Sequence, residues 1–328
     1  MNRLRILTWH IHGSYLYYLA HVPHDIYVPV KPGRPEAYGG RGGTLPWPDN
    51  LHEVAAEDVE SLPLDCILYQ APRNYLEDQY EILTYSQRRL PRLYLEHDPP
   101  RQNPTDTRHI VDDPAMLLVH VTHFNDLMWN SGRTPTRVID HGVRIPAGIR
   151  YTGEIPRGLV IVNDLPKRGR RLGLDVFERV RHEVPLDLVG INSEQLGGGL
   201  GEIPHRELPA FAARYRFLFN PIRYTSLGLS VCEAMMAGVP VVGLTTTEMA
   251  AAVVNGVSGF VDTNIGALIS HMRRLLDHPL EAMLLSEGAR RRAEERFSIS
   301  RFIREWDDAF LQAISLATPE KDRAEVLA

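Results

Sequence analysis

Short runs of apolar, often β-branched residues recur along the chain at 4–9, 26–30, 66–69, 93–95 and 117–121, and again at 159–162, 186–189, 217–219 and 239–244. Each has strand length, does not alternate apolar with polar, and is followed by a helix-length segment. Strands that are apolar on both faces belong to parallel sheets covered by helices on both sides, so the pattern predicts an α/β protein. The rhythm breaks at about 143–156, where Gly, Pro and charged residues replace it before a second set of strands begins. Two Rossmann-like halves joined by a hinge are expected from this.

Composition narrows the classes. A chain of 328 residues has the length of two ordinary domains, and 44% hydrophobic residues is enough for their cores. No stretch approaches the about 18 to 20 consecutive apolar residues of a membrane helix, and the N-terminus runs into the first strand without a signal-peptide pattern. A cytoplasmic protein with no transmembrane segment is expected. Cys66 and Cys232 sit far apart in apolar surroundings, which suits neither a disulfide framework nor a thiolate metal site. The net charge of -5 lacks the basic footprint of a nucleic-acid-binding domain, so no nucleic-acid partner is expected. Basic charge is carried by 33 Arg and only three Lys, at 31, 167 and 321, a skew that draws attention to Lys167.

Several chemistries lose their support. No Lys follows a Gly, as the phosphate-loop lysine would, and no Gly-x-Gly-x-x-Gly is present: Gly197, Gly198, Gly199 and Gly201 have the wrong spacing and do not follow the first strand. No two Asp residues are separated by one position, so the carboxylate pair that holds a metal against a sugar nucleotide in single-domain transferases is missing. His120 and His123 stand three apart without a third ligand nearby, and no metal site is expected. The segment 30–50, rich in Gly and Pro around Lys31, Arg34 and Arg41, reads either as a functional loop or as a surface loop without a role. From 280 onward the helical spacing resumes, and Arg290, Arg291, Arg292 and Arg296, interleaved with Glu294 and Glu295, read as a solvated helix face.

The segment 223–260 is the most informative. A strand ends at Asn220 and Pro221, the polar loop Arg223-Tyr224-Thr225-Ser226-Leu227-Gly228 follows, and a helix from about 229 to 237 is closed by Gly238 and Pro240. Glu233 is the only charge in that helix, among Leu229, Val231, Cys232, Ala234, Met235 and Met236. A helix apolar all round is buried, and a carboxylate buried within it must have partners, either an internal donor or a pair of ligand hydroxyls. Ser226, Leu227 and Gly228 stand at the helix start, where free backbone N–H groups and the dipole favour an anion such as phosphate; the bland alternative makes Gly228 a mere turn residue. A second cluster, Lys167, Arg168, Arg170 and Arg171, follows Asn163 just beyond a predicted strand, at the sheet edge where open α/β sheets bind ligands.

Taken together, Leu227-Gly228-Leu229 through Glu233-Ala234-Met235, Gly238-Val239-Pro240-Val241-Val242, Glu248 and Asn255-Gly256-Val257-Ser258-Gly259-Phe260 resemble the nucleotide-sugar segment of the family 4 retaining glycosyltransferases. These belong to the two-Rossmann (GT-B) fold and include bacterial cell-envelope enzymes. His141-Gly142-Val143 resembles the family's hinge Asn-Gly-Val, and Leu188-Val189-Gly190, Gly201-Glu202-Ile203 and Glu207-Leu208 also match. The resemblance covers roughly 120–300 well and the first hundred residues loosely. One departure is specific: the family usually has two Glu eight apart, and here the first position is Thr225.

The resemblance implies two Rossmann-like domains facing each other across a nucleotide-sugar cleft. The acceptor domain would span 1–148, completed by a C-terminal helix at about 300–328, and the donor domain 149–299. It implies a metal-independent, cofactor-free transfer of a sugar from a nucleoside diphosphate sugar to a glycan, glycolipid, lipid-linked or small-molecule acceptor, with retention, and leaves peripheral membrane contact open. Donor contacts would fall on Gly13, Asn163, Lys167, Arg170, Arg171, Gly190, Thr225, Ser226, Leu227, Gly228, Leu229 and Glu233, with Glu233 on the ribose hydroxyls. Lys167 and Arg168 would serve the leaving diphosphate and His97 the sugar. The rivals are a same-fold sugar-nucleotide epimerase or phosphorylase, and a catalytically silent nucleotide-sugar binding subunit, the latter motivated by Thr225.

Overall fold

The computed structural model describes residues 3–42 and 45–318, and every element named below lies within them. The chain divides into two compact units, one formed by 1–140 with 300–328 and the other by 141–299.

In the first unit the strands are β1 (Arg5–Thr8), β2 (Asp25–Val30), β3 (Leu51–Ala55), β4 (Cys66–Tyr69), β5 (Arg92–Glu96), β6 (Met116–His120) and β7 (Thr136–Val138). They form one parallel sheet in the order β3-β2-β1-β4-β5-β6-β7, with Leu7 opposite Tyr27 on one side and Ile67 on the other. The strand direction of travel reverses between β1 and β4. The side chains of β4 and β6 are buried on both faces, as their unbroken apolar runs require. The C-terminal helix Ile299–Ala317 belongs almost entirely to this unit: Trp306 is fully buried with its indole N–H donating to the Tyr15 hydroxyl at 3.2 Å, and His24 meets Asp307 at 2.9 Å.

The second unit holds β8 (Ile155–Ile161), β9 (Leu186–Val189), β10 (Tyr215–Asn220), β11 (Val241–Leu244) and β12 (Gly259–Asp262), all parallel in the order β12-β11-β10-β8-β9. Its reversal point lies between β8 and β10. Val160, Leu188, Phe217, Phe219 and Val242 pack with Val176, Val180, Leu268 and Met272 of the flanking helices. Arg216 is buried in this core without an acid: its guanidinium donates to the Gly153 carbonyl and to the carbonyls of Leu275 and Leu276, the last turn of the helix Ile265–Asp277.

Three strands lie outside the expected set, β3, β7 and β12, and each carries polar or glycine residues that hide an apolar run. The arginine run near 290 divides: Arg291, Glu294 and Glu295 are exposed, with Arg290 paired to Glu294 at the surface, as expected of a solvated face. Arg296, by contrast, turns inward to buried Glu248, and Arg292 reaches the Ala251 carbonyl at 2.8 Å.

The loop after β2 is held tightly. Arg34 makes a two-pronged contact with Glu53, Lys31 meets Glu81 at 2.6 Å and stands 4.0 Å over the Tyr38 ring, and Tyr38 is buried. Two of its three cations thus serve the fold, and Arg41 does so as well through the Leu51 carbonyl.

Candidate functional site

In an open parallel sheet, loops on the two sides of the reversal point leave in opposite directions and open a crevice at the strands' C-terminal ends. In the second unit those loops are 162–173, after β8, and 221–228, after β10. They carry most of the donor-binding residues expected from the sequence.

After β8 the chain turns sharply. Asp164 adopts φ +53°, its backbone N–H donates to the Ile191 carbonyl at 2.8 Å, and Asn163 accepts from the Ile191 N–H at 3.0 Å. Gly190 closes this clamp at φ +134°, where an added Cβ would lie 2.5 Å from the Val162 carbonyl oxygen. The fold therefore brings Asn163 and Gly190 together, each in a structural role.

The four cations separate by partner. Arg170 is engaged with Asp175, which also receives Arg223 through both terminal nitrogens; the hydrogen bonds from Arg223 hold the Asp175 carboxyl below the usual carboxylate range. The side chains of Lys167 and Arg171, by contrast, have no hydrogen bond or ion pair among the described residues. Arg168 lies at the end of the short helix Leu165–Arg168 and is half-buried.

The two loops are stitched together through Arg171, whose carbonyl accepts from the N–H groups of Arg223 at 3.1 Å and Tyr224 at 3.2 Å. Gly173, at φ +86°, lets the chain pass Pro221, whose carbonyl oxygen would stand 2.0 Å from any Cβ there. The cation-bearing turn and the loop that starts the next helix are thus one rigid piece.

That helix is Leu229–Met236, with Gly228 as its extended N-cap at φ -73° and ψ 139°. Gly228 does not need to be glycine for its own backbone, and a Cβ would meet only Ser230 Oγ, at 3.4 Å. Leu227 is buried, and its carbonyl accepts from buried His141 Nε2 at 2.8 Å, which fixes the loop from below. Thr225 and Ser226 are half-buried.

Glu233 is 4% exposed, as a carboxylate in an apolar helix must be, and its Oε1 lies 2.9 Å from His205 Nε2. An internal donor therefore exists. Burial by itself depresses the His205 imidazole, but the hydrogen bond and charge of Glu233 overcome it, and its pKa stands above the ordinary value. His205 was missed from the sequence. Its only signal was its place between two matching pieces, 201–203 and 207–208.

In the first unit, His97 follows β5, half-buried, with its ring edge-on to those of His12 and Tyr15 at 4.3 and 5.0 Å between centroids, and Nε2 3.0 Å from Gln70 Oε1. Gly13 begins the helix Gly13–Leu19 after β1, where a Cβ would approach His10 Nε2 to 3.0 Å. His120 is a core residue: it is fully buried, Asp126 is 3.6 Å away, neither ring nitrogen has a hydrogen-bond partner, and burial pushes its pKa down to about 3. No group of three His, Cys, Asp or Glu placed to hold a metal occurs among the described residues, and no helix among them is long and apolar enough to cross a membrane.

Residues 157–278 match the family model described as glycosyl transferases group 1. No curated protein matches. Among solved structures, the chain is similar to sucrose-phosphate synthase from Thermosynechococcus elongatus, with a TM-score of 0.69 and 14% identity over 94% of this chain and 99% of that one. HepE of Anabaena in complex with UDP-glucose gives 0.67 and 14% over 94% and 100%. A mutant of S. aureus TarM, in complex with Fondaparinux, alpha-GlcNAc-glycerol and UDP, gives 0.58 and 15% over 75% of this chain, which spans 55% of that protein's length. The fold is that of the two-Rossmann (GT-B) glycosyltransferases, two parallel-sheet α/β domains. The matched residues 157–278 lie within the second unit.

Proposed function

We propose that the protein transfers a sugar from a nucleoside diphosphate sugar to a glycan, glycolipid, lipid-linked or small-molecule acceptor, with retention of configuration and without a bound metal or cofactor. The acceptor-binding part is 1–148 with the C-terminal helix, and the donor-binding part is 149–299. The observation that carries the reading is a pair of cations, Lys167 and Arg171, left without acidic partners at the reversal point of the second sheet, on a turn hydrogen-bonded to the loop that starts the Leu229–Met236 helix. Every other charge on that turn and loop with a described carboxylate partner, Arg170 and Arg223, is neutralised by Asp175.

As the glycosidic bond breaks, negative charge grows on the leaving diphosphate. Fixed cations at 167, 168 and 171 and the amides at Gly228 and Leu229 stabilise that charge more in the transition state than in the ground state, which lowers the barrier. Asn163, Gly190 and Arg170 shape the turn that presents them. Glu233 takes the ribose hydroxyls, held in one rotamer by His205. Gly228, free of any fold requirement for glycine, leaves room for a phosphate to approach the backbone, Thr225 and Ser226 face the donor sugar, and His97, with Gly13 nearby in the chain's first turn, serves the sugar. The enzyme works in the cytoplasm, on cell-envelope or related acceptors, with peripheral contact to a membrane where the acceptor is lipid-linked. UDP is the nucleotide named with HepE and TarM, and it is the first to test here.

A thermal-shift series across nucleoside diphosphates and their sugars tests this directly, because a ligand that binds only the native state raises its melting temperature by mass action. A rise with at least one nucleoside diphosphate sugar, followed by sugar transfer or slow donor hydrolysis, is expected. No shift with any of them would overturn the reading. Thr225 in place of a carboxylate favours one second reading, a binding subunit that takes the donor but neither transfers nor hydrolyses it.

A further inference from the structure

Two tyrosines between β4 and β5 stand in the open. Tyr80 is 65% exposed and Tyr85 68%, and Leu76, four positions before Tyr80, is 54% exposed. These side chains are nevertheless ordered. The Arg88 guanidinium stands 5.2 Å over the Tyr80 ring and 6.0 Å over that of Tyr85, while Arg89 stands 5.7 Å over Tyr85 and donates to its hydroxyl at 3.1 Å. Arg88 is fixed further by the Leu83 carbonyl, at 2.6 Å. Tyr80, Arg88, Tyr85 and Arg89 thus form one ladder of rings and guanidinium planes, and groups already held in place lose little rotamer freedom when a partner covers them. Tyr and Arg are also the residues that carry much of the binding energy where proteins meet.

The charges around the ladder decide what covers it. Glu77 is taken by Arg73 at 3.9 Å and Glu81 by Lys31 at 2.6 Å. Arg88 and Arg89 have no ion pair among the described residues. Beside them lies the short turn Ala56–Ser61, which carries Glu57, Asp58 and Glu60, all exposed and equally unpaired among the described residues. The two stretches are neighbours, because the Gln87 amide donates to the carbonyls of Val59 at 2.9 Å and Leu62 at 3.1 Å. One face therefore carries unpaired cations and unpaired carboxylates that do not meet each other. An anionic membrane or a polyanion would gain from the arginines and be repelled by the acids. A partner with both signs suits the face, and a second copy turned about a two-fold axis presents one by symmetry.

We propose that this face joins two copies of the chain, with Leu76, Tyr80 and Tyr85 packed at the centre and Arg88 and Arg89 of each copy paired with Glu57, Asp58 and Glu60 of the other. The pairing does not depend on the proposed sugar transfer.

Sedimentation equilibrium on the full chain at micromolar concentration tests it. A dimer that weakens as salt rises is expected. Reversing the cations, Arg88→Glu with Arg89→Glu, and in a separate protein the acids, Glu57→Arg with Asp58→Arg and Glu60→Arg, should each raise the dissociation constant by about tenfold or more. Mixing the two proteins should restore the parent affinity, because both sets of pairs re-form between unlike copies, a rescue that a misfolded variant cannot give. Where loss of the Leu83 contact unfolds the first variant, Arg89→Glu alone takes its place. A monomer at every concentration, a dimer indifferent to both reversals, or two weakened variants that fail to pair when mixed would each overturn the proposal. So would a monomeric protein that pellets with phosphatidylglycerol vesicles, since a membrane would then be the occupant.

Discussion

Replacing Glu233 with Gln is the sharpest perturbation the structure offers. The side chain keeps its shape and its hydrogen-bonding capacity, so the helix Leu229–Met236 should stay packed, but the charge opposite His205 disappears. In the parent protein the His205 pKa is raised only because Glu233 overcomes the effect of burial. With a neutral partner, burial is left to act alone and the pKa should fall below 6.5, the ordinary value. A hydrogen bond to a charged group contributes about 1.5 to 3 kcal/mol and one between neutral groups about 1, so the loss is about 0.5 to 2 kcal/mol, and about 1.4 kcal/mol corresponds to one unit of pKa. The His205 ring signals followed by NMR across pH measure it. The sign for stability follows from the raised value: protonated His205 binds its proton more tightly in the folded state, so its contribution is fully present below pH 6.5 and is lost as pH rises through the folded pKa. The gap in melting temperature between parent and Glu233→Gln should therefore be widest in mildly acidic buffer and shrink above neutrality. Nucleoside diphosphate affinity should weaken by about 1 to 3 kcal/mol if the carboxylate takes the ribose. A His205 titration that does not move in the variant would refute the pairing itself, and an unmoved affinity would refute only the ribose contact.

The cations should separate in the same way. Lys167→Ala and Arg171→Ala should each weaken nucleoside diphosphate binding by about 1 to 3 kcal/mol in calorimetry, whereas Arg170→Ala, which gives up an exposed pair with Asp175, should cost at most about 1 kcal/mol of stability and little affinity. Equal losses at all three positions would mean that the partnering seen here does not govern the site. Gly173→Ala should destabilise the protein by more than about 1 kcal/mol, since both its φ of +86° and the Pro221 carbonyl oppose a Cβ, and an unchanged melting temperature would contradict the packing of the two loops. Thr225→Glu should shift affinity or turnover for an intact sugar nucleotide tenfold or more, about 1.4 kcal/mol, while leaving the bare nucleoside diphosphate nearly unaffected; identical behaviour toward both ligands would remove position 225 from the sugar site.

Much of the architecture was legible because parallel strands buried on both faces leave uninterrupted apolar runs, as at 66–69 and 117–121. The strands that escaped notice do not: β3 is Leu-His-Glu-Val-Ala, with only Leu51 buried, and β12 opens on Gly259 at φ +152°. In the second unit, the lone carboxylate at 233 announced itself by its apolar neighbours. Its partner could not, because His205 sits in an irregular segment where no period constrains which way a side chain turns. The four cations at 167–171 were visible as a cluster, yet only the fold shows that Asp175, one turn further along, pairs with Arg170. Gln70 carried no signal at all. A glutamine after an apolar strand is unremarkable until the register places it beside Thr8 and Trp9.

The two histidines that the fold singles out differ in one respect that their chemistry turns on. His205 faces a buried carboxylate, which favours the imidazolium, whereas His97 faces the amide oxygen of Gln70, whose nitrogen is spent on Trp9 and Thr8. Protonation of His205 sets a positive charge beside the Glu233 carboxylate within its apolar helix. Under the proposed function Glu233 accepts from ribose hydroxyls, whereas Lys167 and Arg171 donate to phosphate. The division of labour follows from partners fixed at the ends of strands: where an acidic neighbour is absent, as at 167 and 171, the cation is left for the anion, and where an acceptor is required, a donor from the protein holds it in place.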